Sequence, residues 1–259
     1  MTPAGGPAPS IPDAGVDRVR PTRLRWWKEA AYVAGFYGVY SVVRNLFGSD
    51  EDAAFDHALE VIDWERALGL YHEETIQQWF LDTEWFIRFW NVFYGAAHFV
   101  VTIGVMLWLF RRVPGRYPRW RNTLGWTTAL ALVGFATYPL MPPRLLPESF
   151  GYVDTLAEIG GLWSFDEGPI AEVSNQYAAM PSLHFAWSTW CALAMVPVVR
   201  SAWGRAAYVL YPVATLFAIV VTANHFWIDA VGGALVLALG YLLGSAQEEW
   251  RESRSTRRR

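Results

Sequence analysis

Long apolar runs separated by short charged connections set the pattern of this chain. Six segments of about 18 or more mostly apolar residues stand out, the length of a bilayer-spanning helix. They cover residues 30–47, 89–110, 122–141, 181–199, 206–223 and 225–245. The fifth contains Pro212, which a membrane helix tolerates as a kink when neighbours satisfy the freed carbonyl. Residues 50–84 are too charged to span, yet their apolar positions recur at helical spacing. They predict one or two amphipathic helices on the outer membrane surface. The pattern therefore predicts an all-α, polytopic membrane protein with six transmembrane helices and amphipathic surface helices between the first and second spans. The expected division is a disordered tail over residues 1–26, a membrane domain over 27–247 with its outer-surface segment at 48–85, and a basic tail over 248–259. The first 26 residues are rich in Pro, Ala and Gly and lack the apolar core of a signal peptide.

Charge orients this pattern. Arg18, Arg20, Arg23, Arg25 and Lys28 precede the first span; Arg111, Arg112, Arg116, Arg119 and Arg121 follow the second; Arg200 and Arg205 follow the fourth; and the tail RESRSTRRR closes the chain. The intervening connections are acidic, with Arg66 alone among the eleven acidic residues of 50–84 and Arg144 alone among six after the third span. Basic and acidic connections alternate, so the positive-inside rule places both termini in the cytoplasm of a multi-pass cell-membrane protein. Composition agrees: the chain is 53% hydrophobic, 17% charged and holds 15 Trp. Its one cysteine, Cys191, lies in an apolar run and can form neither an internal disulfide nor a cysteine-based metal site. Nothing suggests nucleic-acid binding.

The polar residues within the apolar runs carry the candidate chemistry. Arg144 follows the outer end of the third span, Ser182 and His184 open the fourth, and His225 opens the sixth, so all lie at one membrane level outside the cytoplasm. His225 and Asp229 are four apart and share a helix face. A carboxylate one turn into the bilayer is costly unless it is paired and faces the protein interior. Gly233, Gly240 and Gly244 continue that face and allow close helix approach, so the face is expected to point into the bundle. An Asp bonded to one imidazole nitrogen fixes the tautomer and frees the other nitrogen to attack. A second histidine can protonate a leaving oxygen, and an arginine, a hydroxyl and helix-start amides can hold phosphate. This set describes phosphoryl transfer through a phosphohistidine. Asn91, Tyr94 and His98 share one face of the second span, either as interhelical hydrogen-bonding groups or as the wall of a head-group or acceptor pocket; Gln176 and Tyr177 are candidates for the same pocket.

PSLH at residues 181–184 resembles the PSGH motif of the type-2 phosphatidic acid phosphatase superfamily, and His225-x-x-x-Asp229 resembles its terminal HxxxD. The wording MPPRLL, AAMPSLH and TANHFWID is similar to bacterial relatives of the inositol phosphorylceramide synthase group. The resemblance covers roughly residues 89–245. It implies a six-helix membrane bundle, no metal and no cofactor. His225 would be the nucleophile, Asp229 its partner and His184 the general acid, with Arg144 and Ser182 binding phosphate. The partners it implies are membrane lipids, either a phospholipid or an isoprenoid or other lipid phosphate, with a polyol or lipid hydroxyl as acceptor. The chain departs from the superfamily pattern at Thr137 in place of lysine, Leu145 in place of proline, Leu183 in place of glycine and Ile219 in place of arginine. Two phosphate-binding cations are thus missing, which suits a phosphodiester and a transferase better than a monoester and a phosphatase. Hydrolysis by the same residues remains the alternative. Two further readings compete: a two-His-one-Asp metalloenzyme, and a haem-binding or transport protein using His98, His184 and His225.

Overall fold

The computed structural model describes residues 50–161 and 176–257, with isolated positions between residues 25 and 38. The expected first span and the expected disordered tail lie almost entirely outside the described residues. The described elements are α1 (Glu51–Leu68), α2 (Glu73–Gln78), α3 (Glu84–Arg112), α4 (Tyr117–Thr137), α5 (Thr155–Glu158), α6 (Leu183–Met195), α7 (Ala202–Val221) and α8 (Trp227–Arg257), with two short 3-10 turns between α4 and α5. Helices joined by loops make up the described part, with no strand and one isolated bridge between Leu140 and Ala178.

Among the described residues, three helices, α3, α7 and most of α8, are long and apolar enough to cross a membrane. The other two expected spans differ from the sequence reading. α4 ends at Thr137 because the chain enters the proline-rich segment YPLMPPR. α6 has only 13 residues, about 20 Å of helix, less than the thickness of a hydrocarbon core. Pro181 delays its start, and the chain turns out of the helix before Arg200. α8 departs in the other direction, continuing unbroken past residue 247 through the basic tail.

α8 is the spine of the bundle, and its glycines set the packing. A Cβ on Gly240 would lie 2.3 Å from Thr127 Oγ1 and 2.7 Å from Thr127 N; one on Gly244 would lie 2.7 Å from Thr123 N. Position 240 therefore faces 127 while 244 faces 123, so α8 and α4 run antiparallel at backbone contact. Gly233 meets α6 in the same way, with Ser182 O 2.4 Å from where its Cβ would be. The glycine face read from the sequence thus points into the bundle. A second seam joins α6 to α4, where Trp190 is fully buried and donates its indole N–H to Trp120 O at 3.0 Å.

The amphipathic segment also folds as helices, and its buried apolar positions pack against protein. Ala54, Ala58, Val61 and Ile62 of α1 are buried in one cluster with Leu140, Met141, Ala223 and Phe226. Met141 N donates to Ala54 O at 3.1 Å, His57 Nδ1 donates to Pro139 O at 2.7 Å, and Gln77 of α2 exchanges hydrogen bonds with both N and O of Val153. The loop after α4 presents unpaired backbone groups, and α1 and α2 satisfy them, as buried amides and carbonyls require. The two helices form a roof over the site end of the bundle.

Candidate active site

The site grows from two helix starts facing each other. Ser182 has extended backbone angles and caps α6, its Oγ accepting from Phe185 N at 3.4 Å. The chain leaves α7 through Thr222 and Ala223, the latter in the left-handed region at φ 52°, an uncommon conformation for a residue with a Cβ. This sharp turn lets both Asn224 N and His225 N donate to Ile219 O, at 2.9 and 3.1 Å. His225 is thereby set just before α8, and Asp229 stands in that helix's first turn. Asp229 Oδ2 accepts from His225 Nδ1 at 3.1 Å and from Phe226 N at 3.0 Å. The second bond is the acidic half of a capping box, so one carboxylate oxygen both starts the helix and holds the imidazole. Asp229 is fully buried and His225 nearly so. Ser182 N donates to Asp229 O at 2.9 Å, tying the two helix starts together.

With Nδ1–H donating to the carboxylate, His225 Nε2 carries the lone pair. It lies 3.5 Å from Ser182 Oγ, within reach of that hydroxyl. The His184 and His225 rings are 5.6 Å apart at 62°. His184 stacks on Tyr94 at 4.1 Å, and Tyr94 meets His225 edge-on at 6.2 Å. His98 lies 4.2 Å from His184 and donates its Nδ1–H to Tyr94 O at 3.0 Å. The three histidines and Tyr94 form one packed set. A crevice with no room for a water molecule lies beside it, lined by Phe93, Ala97, His98, His184, Thr215 and Ile219 among others.

Arg144 belongs to the same end and is buried. Its backbone N donates to Ala223 O at 2.8 Å, and its Nε donates to Asn224 Oδ1 at 3.1 Å. Asn224 is braced in turn by donating to Thr222 O and Thr222 Oγ1. Arg144 Nη1 forms an ion pair with Asp154, whose other oxygen caps α5. Neither contact uses Nη2.

The remaining expected residues are placed elsewhere. Asn91 is buried with all its polar atoms engaged: its amide N–H groups donate to Thr155 O and Gly160 O at 2.8 and 2.9 Å, and its Oδ1 accepts from Thr155 Oγ1 at 3.0 Å. It holds the segment of residues 155–160 to α3. Tyr177 packs against the cluster around Leu140 and Met141, and its O accepts from Leu140 N at 2.7 Å. Gln176 stands half-buried beside it. Thr137 turns its hydroxyl onto its own helix, donating to Val133 O at 2.8 Å, and Ile219 is an apolar wall beside His184. Among the described residues, no three His, Cys, Asp or Glu side chains group in a way that could hold a metal ion. Sequence reasoning missed Asp154, Asn224, Glu65 and Glu73. Asn224 had a signal, a lone amide inside an apolar run immediately before His225. The acids had none, because they sit in connections rich in exposed carboxylates.

No curated protein and no solved structure is found to match the chain. The family comparison does match, and over most of the residues just described, including both helix starts, Arg144 and the outer acids from Glu65 onward. Matching the PAP2 superfamily over residues 59–243, the chain belongs to that superfamily of membrane-type phosphatases and phosphotransferases.

Proposed function

We propose that the protein is a lipid phosphotransferase that moves a phosphoryl or phospho-head group through a phosphohistidine on His225. The observation that carries this reading is the His225–Asp229 bond, which leaves His225 Nε2 free beside Ser182 and within one ring's reach of His184. Nε2 attacks the phosphorus of a lipid phosphodiester while the bond to the leaving oxygen breaks. His184 gives that oxygen its proton. The imidazolium formed at His225 is stabilised by Asp229, and the phosphate oxygens face Ser182, the first amides of α6 and Arg144. An acceptor hydroxyl then attacks the same phosphorus, His184 takes its proton, and neutral His225 returns. Every step belongs to side chains of this chain, with no metal or cofactor called on.

The local charge favours a monoanionic diester. Arg144 is already balanced by Asp154, and Ile219 and Thr137 offer no cation. This agrees with the similarity to the inositol phosphorylceramide synthase group. Six spans with both termini cytoplasmic would put the site at the outer face, since the helix ends that carry it are opposite those bearing Arg111, Arg112, Arg200 and Arg205. The deciding experiment is product analysis on purified protein in EDTA, using head-group-labelled phospholipids and lipid phosphates, with and without inositol. Label passing to an acceptor hydroxyl supports transfer. Label released as free phosphate or phospho-head group makes the protein a hydrolase. Turnover that appears only when a divalent metal replaces EDTA overturns the phosphohistidine route.

A further inference from the structure

Two glutamates that take no part in the transfer chemistry are completely buried under the start of the catalytic helix. Glu65, near the end of α1, and Glu73, first residue of α2, are brought together by the turn at Gly69, whose φ of 68° closes α1. Glu73 Oε1 accepts from Trp227 N at 3.2 Å, and Glu65 Oε1 accepts from Ile228 N at 2.9 Å. With Asp229 on Phe226 N, three carboxyl groups satisfy three successive amides at the start of α8. Burying acids without a cation is expensive. The charged groups acting most strongly on Glu65 are Glu73 and Asp229, both acidic.

Counting donors and acceptors divides the pair. Glu73 uses both oxygens as acceptors, since Oε2 takes His72 N at 3.0 Å. Glu65 uses only Oε1; its Oε2 is buried and accepts no hydrogen bond. An oxygen in that position is satisfied if it carries a proton and donates it to Glu73. Burial and the neighbouring Glu73 push the Glu65 carboxyl up to about 9, in the same direction as this count.

We propose that Glu65 and Glu73 are a one-proton pair, Glu65 the acid and Glu73 the carboxylate, which clamps the outer roof to the first turn of α8 and so positions His225 and Asp229. The pair acts through the helix start and does not touch substrate. The catalytic half of this proposal rests on His225 being the nucleophile; the clamp itself does not.

The two members respond differently to the same conservative change. In Glu65→Gln the amide oxygen still accepts from Ile228 N and the amide N–H still donates to Glu73. In Glu73→Gln one of two required acceptors becomes a donor. The test measures hydrogen exchange of the peptide spanning residues 225–232 together with kcat and KM, for Glu65→Gln, Glu73→Gln and Glu73→Ala in full-length protein. Glu65→Gln is expected to match wild type in exchange and to stay within about threefold in kcat. Glu73→Gln is expected to raise exchange at Trp227 and Ile228 and to lower kcat about 10–100-fold with KM within about threefold. The reverse ranking, or equal effects of the two glutamine variants, overturns the proton assignment. Unchanged exchange in Glu73→Ala overturns the clamp. Raised exchange with unchanged kcat overturns the positioning role. If wild type turns over no lipid phosphate, the functional reading falls, and the exchange measurements still decide the clamp.

Discussion

Arg144 reaches His225 through a single intermediary, Asn224, which accepts from the guanidinium and is the residue before the proposed nucleophile. The same guanidinium is held on its other side by Asp154. The proposed anion clamp is therefore tied to the turn that carries the proposed nucleophile, and its charge is partly balanced by Asp154.

Replacing Asp154 by Asn keeps the α5 cap on its one remaining oxygen but removes both the opposing charge and the acceptor for Arg144 Nη1. The expected result is about tenfold tighter inhibition by inorganic phosphate or vanadate, with a smaller gain for a phosphodiester. Inhibition constants for the variant and wild type read this directly. Equal constants would mean that the ion pair opens before phosphate binds.

His225→Ala should abolish turnover by at least about 10³-fold, as loss of a nucleophile does. Asp229→Asn should cost about 10²–10⁴-fold, because the tautomer is no longer imposed. Acid-labile phosphate trapped on wild type and absent from His225→Ala would identify the covalent species.

Gly240→Ala would place a methyl group 2.3 Å from Thr127 Oγ1 and 2.7 Å from its backbone N. Helices in backbone contact cannot absorb this by a side-chain shift, so a loss of about 1–3 kcal/mol is expected. Gly104→Ala on α3, where nothing lies within 4 Å, is the control. Thermal unfolding in detergent should separate the two; equal midpoints would refute the close α4–α8 contact.

Stability should also fall with rising pH through Glu65. Its carboxyl titrates about 9 in the fold against 4.5 for the free group, so the folded state keeps a proton that the unfolded chain releases. No penalty exists below pH 4.5. It grows as pH rises and is complete above about 9. Unfolding midpoints measured from pH 5 to 9 should slope downward in wild type and be flatter in Glu65→Gln.

Asn91→Ala removes three hydrogen bonds to the outer loop, each worth about 1 kcal/mol. It should destabilise the protein by about 2–3 kcal/mol while leaving the acceptor KM within about threefold. A raised KM at unchanged stability would instead make Asn91 a pocket residue.

The parts legible in the sequence were those set by spacing along one helix. The glycines at 233, 240 and 244 fixed the inward face, and the spacing of His225 and Asp229 brought them together, although His225 stands before the helix and the bond forms across its cap rather than along one helix face. Ser182 was legible as a helix start because a serine behind a proline announces one. Contacts that depend on how distant segments fold back were not legible. The acidic run of residues 50–84 gave no hint that two of its carboxylates would leave the surface, since nothing local distinguishes Glu65 or Glu73 from Glu60 or Glu74. Helix lengths misled for a related reason. Hydropathy continues across Pro139 and Pro181, whereas backbone hydrogen bonding does not.

The short tether from Arg144 through Asn224 to His225 also bears on how such a protein could change its substrate. The proposed clamp and nucleophile are joined by one hydrogen-bonded turn, so substitutions there would disturb the reaction for every ligand alike. Phe93, Ala97 and Thr215, on α3 and α7, form a wall beside His98 and His184, and the Thr215 hydroxyl bonds within its own helix, to Tyr211 O. Divergence in lipid preference would accumulate along this wall, where side chains can vary without moving the reacting atoms.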